Sequence, residues 1–361
     1  MATVNYKCPN CAGPLKFNPD KQMFSCEYCM SDFSEEAVQQ MYAQREQKEN
    51  SEEKAEQKAP EKARQSGETA AEDAVVYTCP SCGAEVVTTA STAATTCFYC
   101  QNPVVLGGRL SGEFKPDKVI PFALTKDKAI EKFLAMCKKK LFLPKDFASK
   151  KQFEKLTGVY FPYWYIDAGK QANMVATGKK IRTWRSGNKR YTETSTYRLE
   201  RSGDLIIKNV FERALKSQDR EMLQCVHPFD LKQAHPFAMS YLSGFQAEKR
   251  DIERSDIQQQ VDEEITNYCQ TLLKDTMSEY SGIVTEHYDD KTDLEAWSYT
   301  LLPVWIVTYK YKDKILPFAI NGQTGKTYGE LPVSKGRLAV LFAIVAVALT
   351  VLGLLGGLLL C

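Results

Sequence analysis

The chain has 361 residues and a formal net charge of +2, from 47 basic and 45 acidic side chains. Its 43% hydrophobic and 25% charged composition is that of ordinary folded domains, and 20 Gly with 15 Pro exclude a collagen-like chain. No global excess of charge attracts a polyanion, and the length suggests two or three folded units. Twelve cysteines in so long a chain are not the staples of a mini-protein.

The opening MATVNYKCPN has no basic segment followed by an apolar run, so no secretory signal peptide is expected. Eight of the cysteines form one pattern written twice. Cys8-Pro-Asn-Cys11 is followed by Cys26-Glu-Tyr-Cys29, and Cys79-Pro-Ser-Cys82 by Cys97-Phe-Tyr-Cys100. A shift of 71 residues carries every cysteine of the first set onto the second, and carries Tyr6, Pro9 and Tyr28 onto Tyr77, Pro80 and Tyr99. A CxxC knuckle aims two thiolates at one ion, and two knuckles complete the tetrahedron of a structural Zn²⁺ site. Two structural zinc ions are therefore expected; iron in a rubredoxin-like site uses the same ligands and is the minor reading. Four thiolates leave no position for water, so neither site is expected to be catalytic.

These knuckles resemble TFIIB-type zinc ribbons, which also occur in the replication-restart primosomal helicase. Such ribbons work on nucleic acid or on protein partners. Residues 1–110 carry 10 Lys/Arg and 15 Asp/Glu, a net of −5, which argues against a nucleic-acid partner there. Between the ribbons, Ser34 predicts a helix N-cap ahead of Glu35 and Glu36. Past Ala43 the sequence reads as a charged, partly helical linker, broken at Pro60 and Ser66-Gly67.

After Cys100 apolar runs take over. VIPFAL (119–124) predicts a short strand, and Lys126–Leu141 an amphipathic helix with Ala129, Phe133, Met136 and Cys137 on one face. GVYFPYWYIDA (158–168) predicts a strand, with further strands over Met174–Ile181 and Tyr191–Leu199 and turns at Gly178 and Ser186-Gly187-Asn188. Ile257–Met277 predicts a long helix with Ile257, Val261, Ile265, Tyr268, Cys269 and Leu272 facing the core. LLPVWIVTYKYKDK (301–314) and the segment 315–333 form a hairpin-rich close. A weak internal repeat pairs Pro121-Phe122 and Leu124 with Pro228-Phe229 and Leu231, and Phe161-Pro162-Tyr163-Trp164 with Leu302-Pro303-Val304-Trp305.

The GKT at Gly325-Lys326-Thr327 is no P-loop, because the pattern needs Gly where Ile320 stands and no helix follows; Asn321-Gly322 reads as a hairpin turn. His227, His235 and His287 are expected to be structural or surface residues, and Asp289-Asp290 with Asp293 a solvated loop. Cys137, Cys225 and Cys269 read as core residues. No GxSxG, HExxH or GxGxxG occurs, so no catalytic residue is assigned and no enzyme is expected.

From Leu338 to Leu360 the sequence carries no charge and one hydroxyl, at Thr350. Such a helix would be roughly 35 Å long against a hydrocarbon core of ~30 Å, which predicts a transmembrane helix acting as a tail anchor. Lys335 and Arg337 before it place the bulk of the chain in the cytoplasm under the positive-inside rule. Gly353 and Gly357 have GxxxG spacing, a weak sign of helix association.

Together with the ribbons, IPFALTKDKA, GVYFPYWYIDA, YLSGFQAEKRDI and LPVWIVTYKYKDKILPFAINGQTGK resemble the bacterial membrane-associated TFIIB-type zinc-ribbon proteins common in Firmicutes. Some members are encoded beside SPFH-domain or phage-shock-type proteins of the envelope stress response. The resemblance implies a membrane-tethered adaptor with the bilayer and such proteins as partners. The expected fold is α+β: zinc ribbons over 1–33 and 76–103, a linker over 34–75, a mainly antiparallel α+β body over 104–335 and a transmembrane helix over 338–360. The expected task is a non-enzymatic adaptor at the cell membrane; the alternative is a nucleic-acid-associated ribbon factor without a helicase motor.

Overall fold

The computed structural model describes residues 3–4, 6–42, 74–79, 81–97, 100, 102–106, 109–144, 156–216, 224, 226–311 and 314–360. In chain order its elements are β1 (Thr3–Val4), β2 (Leu15–Asn18), β3 (Met23–Cys26), β4 (Asp32–Phe33) and helix α1 (35–42). There follow β5 (Ala74–Thr78), β6 (Glu85–Thr89), β7 (Thr92–Thr96), β8 (Pro103–Leu106), β9 (Lys118–Val119) and α2 (Lys126–Lys138). Next come β10 (Thr157–Ser186), β11 (Lys189–Arg213), β12 (His235–Pro236), β13 (Gln246–Glu248) and α3 (Arg254–Asp275). The chain closes with β14 (Ser281–Tyr311), β15 (Lys314–Asn321), β16 (Thr327–Gly329) and α4 (Lys335–Leu360).

Among the described residues sheet outweighs helix, at 45% against 26%, which corrects the expected α+β balance to a sheet-dominated fold. The cause is strand length. β10, β11 and β14 run for 30, 25 and 31 residues, where the sequence suggested short strands and turns. Gly178 makes no turn but lies inside β10, where a Cβ would come within 2.7 Å of Leu199 and 2.9 Å of Tyr280. The reversal at Ser186-Gly187-Asn188 does form, with Gly187 at φ 59 supplying the positive dihedral of a two-residue hairpin turn.

β10 is central, antiparallel to β14 on one side and flanked on the other by β13 and then β11. The body is a duplication with a local dyad at the Phe161↔Leu302 pair of β10 and β14. A shift of 128 residues carries Lys118 and Val119 onto Gln246 and Ala247. A shift of 141 carries Val159 and Tyr160 onto Thr300 and Leu301. The parallel pairings follow that symmetry: Thr300↔Lys118 and Leu301↔Val119 mirror Val159↔Gln246 and Tyr160↔Ala247. The helices obey it too, since the N-caps Thr125 and Glu253 are 128 apart, and buried Phe133 and Cys137 of α2 map onto buried Val261 and Ile265 of α3. Each half is thus strand, helix, long strand and returning strand, with the first half's hairpin greatly lengthened. The 161–164 and 302–305 match is correct, whereas Pro121 and Pro228 are not equivalent positions.

The core gathers at the dyad. Phe122 stacks on Phe245 at 4.2 Å, with Tyr160 and Trp305 against Phe122 at 5.0 and 4.9 Å. Gly158 is required there, because a Cβ would come within 2.6 Å of Phe245 and 3.1 Å of Phe122. Trp164 donates its indole N–H to the Ile252 carbonyl and Trp305 to that of Leu124, both at 3.0 Å. Asn321 is fully buried, donating to the Val226 and Pro228 carbonyls at 2.9 and 3.1 Å and accepting from the Gln323 and Thr324 N–H groups at 2.8 Å. It organises the expected hairpin, but the positive φ falls at Gly325 (80) and not at Asn321-Gly322.

The helix α4 corrects the C-terminal expectation. Among the described residues no helix is long and apolar enough to cross a membrane. This overturns the transmembrane helix, the tail anchor and the single-pass membrane localisation drawn from it. Arg337, read as a flanking charge, donates to the Leu141 and Leu143 carbonyls at 3.2 and 2.6 Å, tying the start of α4 to the body. Gly353 and Gly357 lie beyond the described side chains.

Candidate metal centres

Each ribbon builds its site from two knuckles on the ends of short strands. In the first, the Cys8 N–H donates to the Gly13 carbonyl at 2.6 Å and the Ala12 N–H to the Cys8 carbonyl at 2.8 Å. The second repeats this through Cys79 with Ala84 at 2.8 Å and Gly83 with Cys79 at 2.9 Å. The 71-residue shift therefore holds down to single hydrogen bonds. Closing the knuckle needs a left-handed residue, and Gly83 (φ 75) supplies it at no steric cost; Ala12 (φ 60) and Met30 (φ 57) adopt it in the first ribbon.

The sulfurs converge. Sγ–Sγ distances are 3.5 Å for Cys8–Cys29, 3.4 Å for Cys11–Cys26, 3.7 Å for Cys79–Cys100 and 3.8 Å for Cys82–Cys97. All four ligand atoms of each set lie within 4.8 Å of one another. A zinc–sulfur bond of ~2.3 Å gives a tetrahedron edge of about 3.8 Å, whereas a disulfide needs ~2.05 Å. Both sets, Cys8/Cys11/Cys26/Cys29 and Cys79/Cys82/Cys97/Cys100, suit structural zinc ions, and all eight thiols are free.

Their electrostatics favour a cation. The Gly13 N–H pulls Cys11 down, but the sulfurs of Cys26 and Cys29 and burial carry it to about 12. Burial lifts Cys100 to about 12 against the Asn102 N–H. Cys29 alone is lowered, to about 6, by the Ser31 hydroxyl and N–H. Cys11 and Cys100, held up in this way, keep their protons until a metal replaces them, so loading releases protons.

The ribbons are fastened to the body rather than held apart from it. In the first, the Phe17 N–H donates to the Ser243 carbonyl at 3.1 Å and Ser243 Oγ to the Leu15 carbonyl; Tyr241 packs on Phe17 at 5.2 Å. Lys128 pairs with Asp20 at 2.8 Å, and Gln22 reaches the Phe122 carbonyl at 2.9 Å. In the second, β7 pairs with β13 through Ala94↔Ala247 and so joins the main sheet, while β8 pairs with β1. Arg109 bridges the Thr89 and Thr92 carbonyls at 2.8 and 3.0 Å.

Other candidates resolve differently. The Ser34 cap forms, with its Oγ accepting from the Ala37 N–H at 3.3 Å, while the linker past 42 lies outside the described residues until 74. His227 is buried, stacked on Phe211 at 3.7 Å; burial, with Lys326 nearby, lowers it to about 3. His235 is exposed, and His287 pairs with Asp289 at 3.2 Å. Cys137 and Cys269 are buried as expected; Cys225 lies outside the described residues. The predicted acidic loop is instead part of strand β14. There Asp290 forms a largely buried ion pair with Lys170 at 3.1 Å and accepts from Tyr288 at 2.9 Å and Thr266 at 3.2 Å. Sequence reasoning missed that network because its members lie on three elements. Within the α3 stripe, Val261, Ile265 and Cys269 are buried, but Tyr268 and Leu272 are exposed and line a groove of about 640 Å³ against β11.

No family model matches the chain, and no solved structure matches it. It is 31% identical over 348 residues to the uncharacterized protein YdjG of Bacillus subtilis (strain 168), covering 95% of this chain and 94% of that one. The chain belongs to the same family.

Proposed function

We propose that this member of the YdjG family is a non-enzymatic adaptor whose two zinc ions hold a rigid docking platform together. The observation that carries the reading is that both ribbons are bonded into the body, the second by a strand of the main sheet. Metal closed by four thiolates leaves no position for a substrate and supports an architectural role. Protein partners follow from that architecture, and the resemblance to ribbon proteins encoded beside SPFH-domain or phage-shock-type proteins names a class to look for.

The test is crosslinking of the tagged full-length protein in cells, capture, and identification of partners with and without nuclease. Reproducible protein partners that survive nuclease and are lost in a Cys97→Ser variant support the adaptor. Turnover of a substrate by the purified zinc-loaded protein, or capture of no protein above an untagged control, would overturn it.

A further inference from the structure

The β10–β11 hairpin outruns the rest of the sheet. The last pairing with β14 is Lys179↔Ser281, and from there two strands continue alone to the turn at Gly187-Asn188. Seven residue steps from Lys179 to Ser186 give a finger roughly 23 Å long. The finger, residues 179–196, contains Lys179, Lys180, Arg182, Arg185, Lys189 and Arg190 against one carboxylate, Glu193 opposite Arg182, and every one of these side chains is exposed.

Register decides how that charge is displayed. Residues opposite one another share a face, so Lys180, Arg182 and Lys189 lie on one side with Trp184 and Tyr191. Lys179, Arg185 and Arg190 lie on the other. Trp184 and Tyr191 stack across the strands at 5.7 Å and 15°, which stiffens the tip, and Arg182 lies 5.9 Å from the Trp184 ring. Lys180 pairs with Glu279 at 2.7 Å at the base of the finger. Arg185 sits directly opposite Arg190, an arrangement that weakens a strand pair unless an anion lies between or beside the two cations.

We infer that this finger docks in the major groove of double-stranded DNA. A flat anionic surface would be met by one face, whereas free cations on both faces, Lys189 on one and Lys179, Arg185 and Arg190 on the other, suit a cleft with phosphates on both walls. The B-form major groove, ~12 Å wide, admits a two-stranded ribbon, while the A-form groove of RNA is too deep and narrow. The acidic N-terminal 110 residues hide this in the net charge of the chain, because the basic segment is confined to the hairpin. The inference adds a partner to the adaptor and does not depend on the zinc reading.

The experiment is fluorescence anisotropy of a labelled 20-base-pair DNA duplex with full-length, zinc-loaded protein between 50 and 250 mM salt. Binding is expected in the micromolar range, with log K falling against log[salt] at a slope of about −4 for the four cations not already facing a carboxylate. Arg185→Gln with Arg190→Gln should weaken binding at least tenfold and reduce the slope by about 2, with zinc content and Tm preserved because a repulsive pair has been removed. Arg198→Gln with Arg201→Gln, outside the finger, should leave affinity within twofold. No binding at 50 mM salt, or binding indifferent to the Arg185/Arg190 change, would overturn the inference. So would tighter binding to duplex RNA of the same length, or to vesicles containing 30% phosphatidylserine.

Discussion

Trp164 and Trp305 hold each other's half of the molecule. Each indole N–H reaches a backbone carbonyl at 3.0 Å, Trp164 that of Ile252 just before α3 and Trp305 that of Leu124 just before α2. The local dyad exchanges the two bonds, so the halves interlock instead of merely abutting. Trp164→Phe and Trp305→Phe should each destabilise by about 1–3 kcal/mol, since each leaves a buried carbonyl without its donor. Urea unfolding should give similar losses for both; a loss confined to one would show that the dyad is geometric but not energetic.

Metal analysis of the reduced protein should return about two zinc per chain, and about one for Cys97→Ser. In that variant β7 loses its anchor, so amide exchange should rise on β7 and at Ala247 and Glu248 of β13 while the first ribbon stays protected. Iron at either site, or unchanged protection on β13, would contradict this assignment.

Ala12 occupies the left-handed position that Gly83 fills in the second ribbon. Ala12→Gly should stabilise the first knuckle by roughly 1 kcal/mol, because the Cβ strain exceeds the added chain entropy of glycine. The converse change, Gly83→Ala, should cost a similar amount. Thermal melts at fixed zinc decide the sign.

Removing one member of the Lys170–Asp290 pair strands the other under α3. Lys170→Met or Asp290→Asn should cost about 3–5 kcal/mol, and the double change should recover part of it. Additive losses in the double-mutant cycle would mean that the pair is not coupled.

His227 should make stability fall with acid. Burial, then Lys326, lowers the folded-state pKa from 6.5 to about 3, so the unfolded chain takes up the proton first. The stabilising difference is complete above pH 6.5 and is lost progressively as pH falls from 6.5 towards 3. Between pH 7.5 and 5.5 the loss is about 1.4 kcal/mol. His227→Phe should flatten that part of the profile; an unchanged slope would place the titrating group elsewhere.

The metal sites were readable in the sequence because a CxxC spacing encodes its own local geometry. Helices α2 and α3 were readable for the same reason, since a 3.6-residue period is a local property. The duplication was half-readable. Trp164 and Trp305 stand out in composition, but the equivalence of Lys118 with Gln246 rests on strand register and on no shared side chain. Asp290 looked like a loop residue because its partner lies 120 residues away, and charge on a strand reads as a turn until the pairing is known. For α4, apolar composition alone suggested a span, whereas the described helix is anchored through Arg337 to the carbonyls of Leu141 and Leu143.

The position of β10 at the centre of the sheet also sets an order of events during synthesis. β11 follows it at once, so the finger hairpin can close early. Thr157, however, pairs with Ile306 and Tyr160 with Pro303, residues made more than 140 positions later. At ~5–20 residues per second the aromatic inner edge of β10 waits roughly 7–30 s for β14, longer than a hairpin needs to form by several orders of magnitude. In that interval its Phe161, Tyr163 and Tyr165 side chains, all buried in the finished fold, face the ribosome's surroundings. The nascent chain is therefore most dependent on chaperones between the emergence of Tyr165 and that of Trp305.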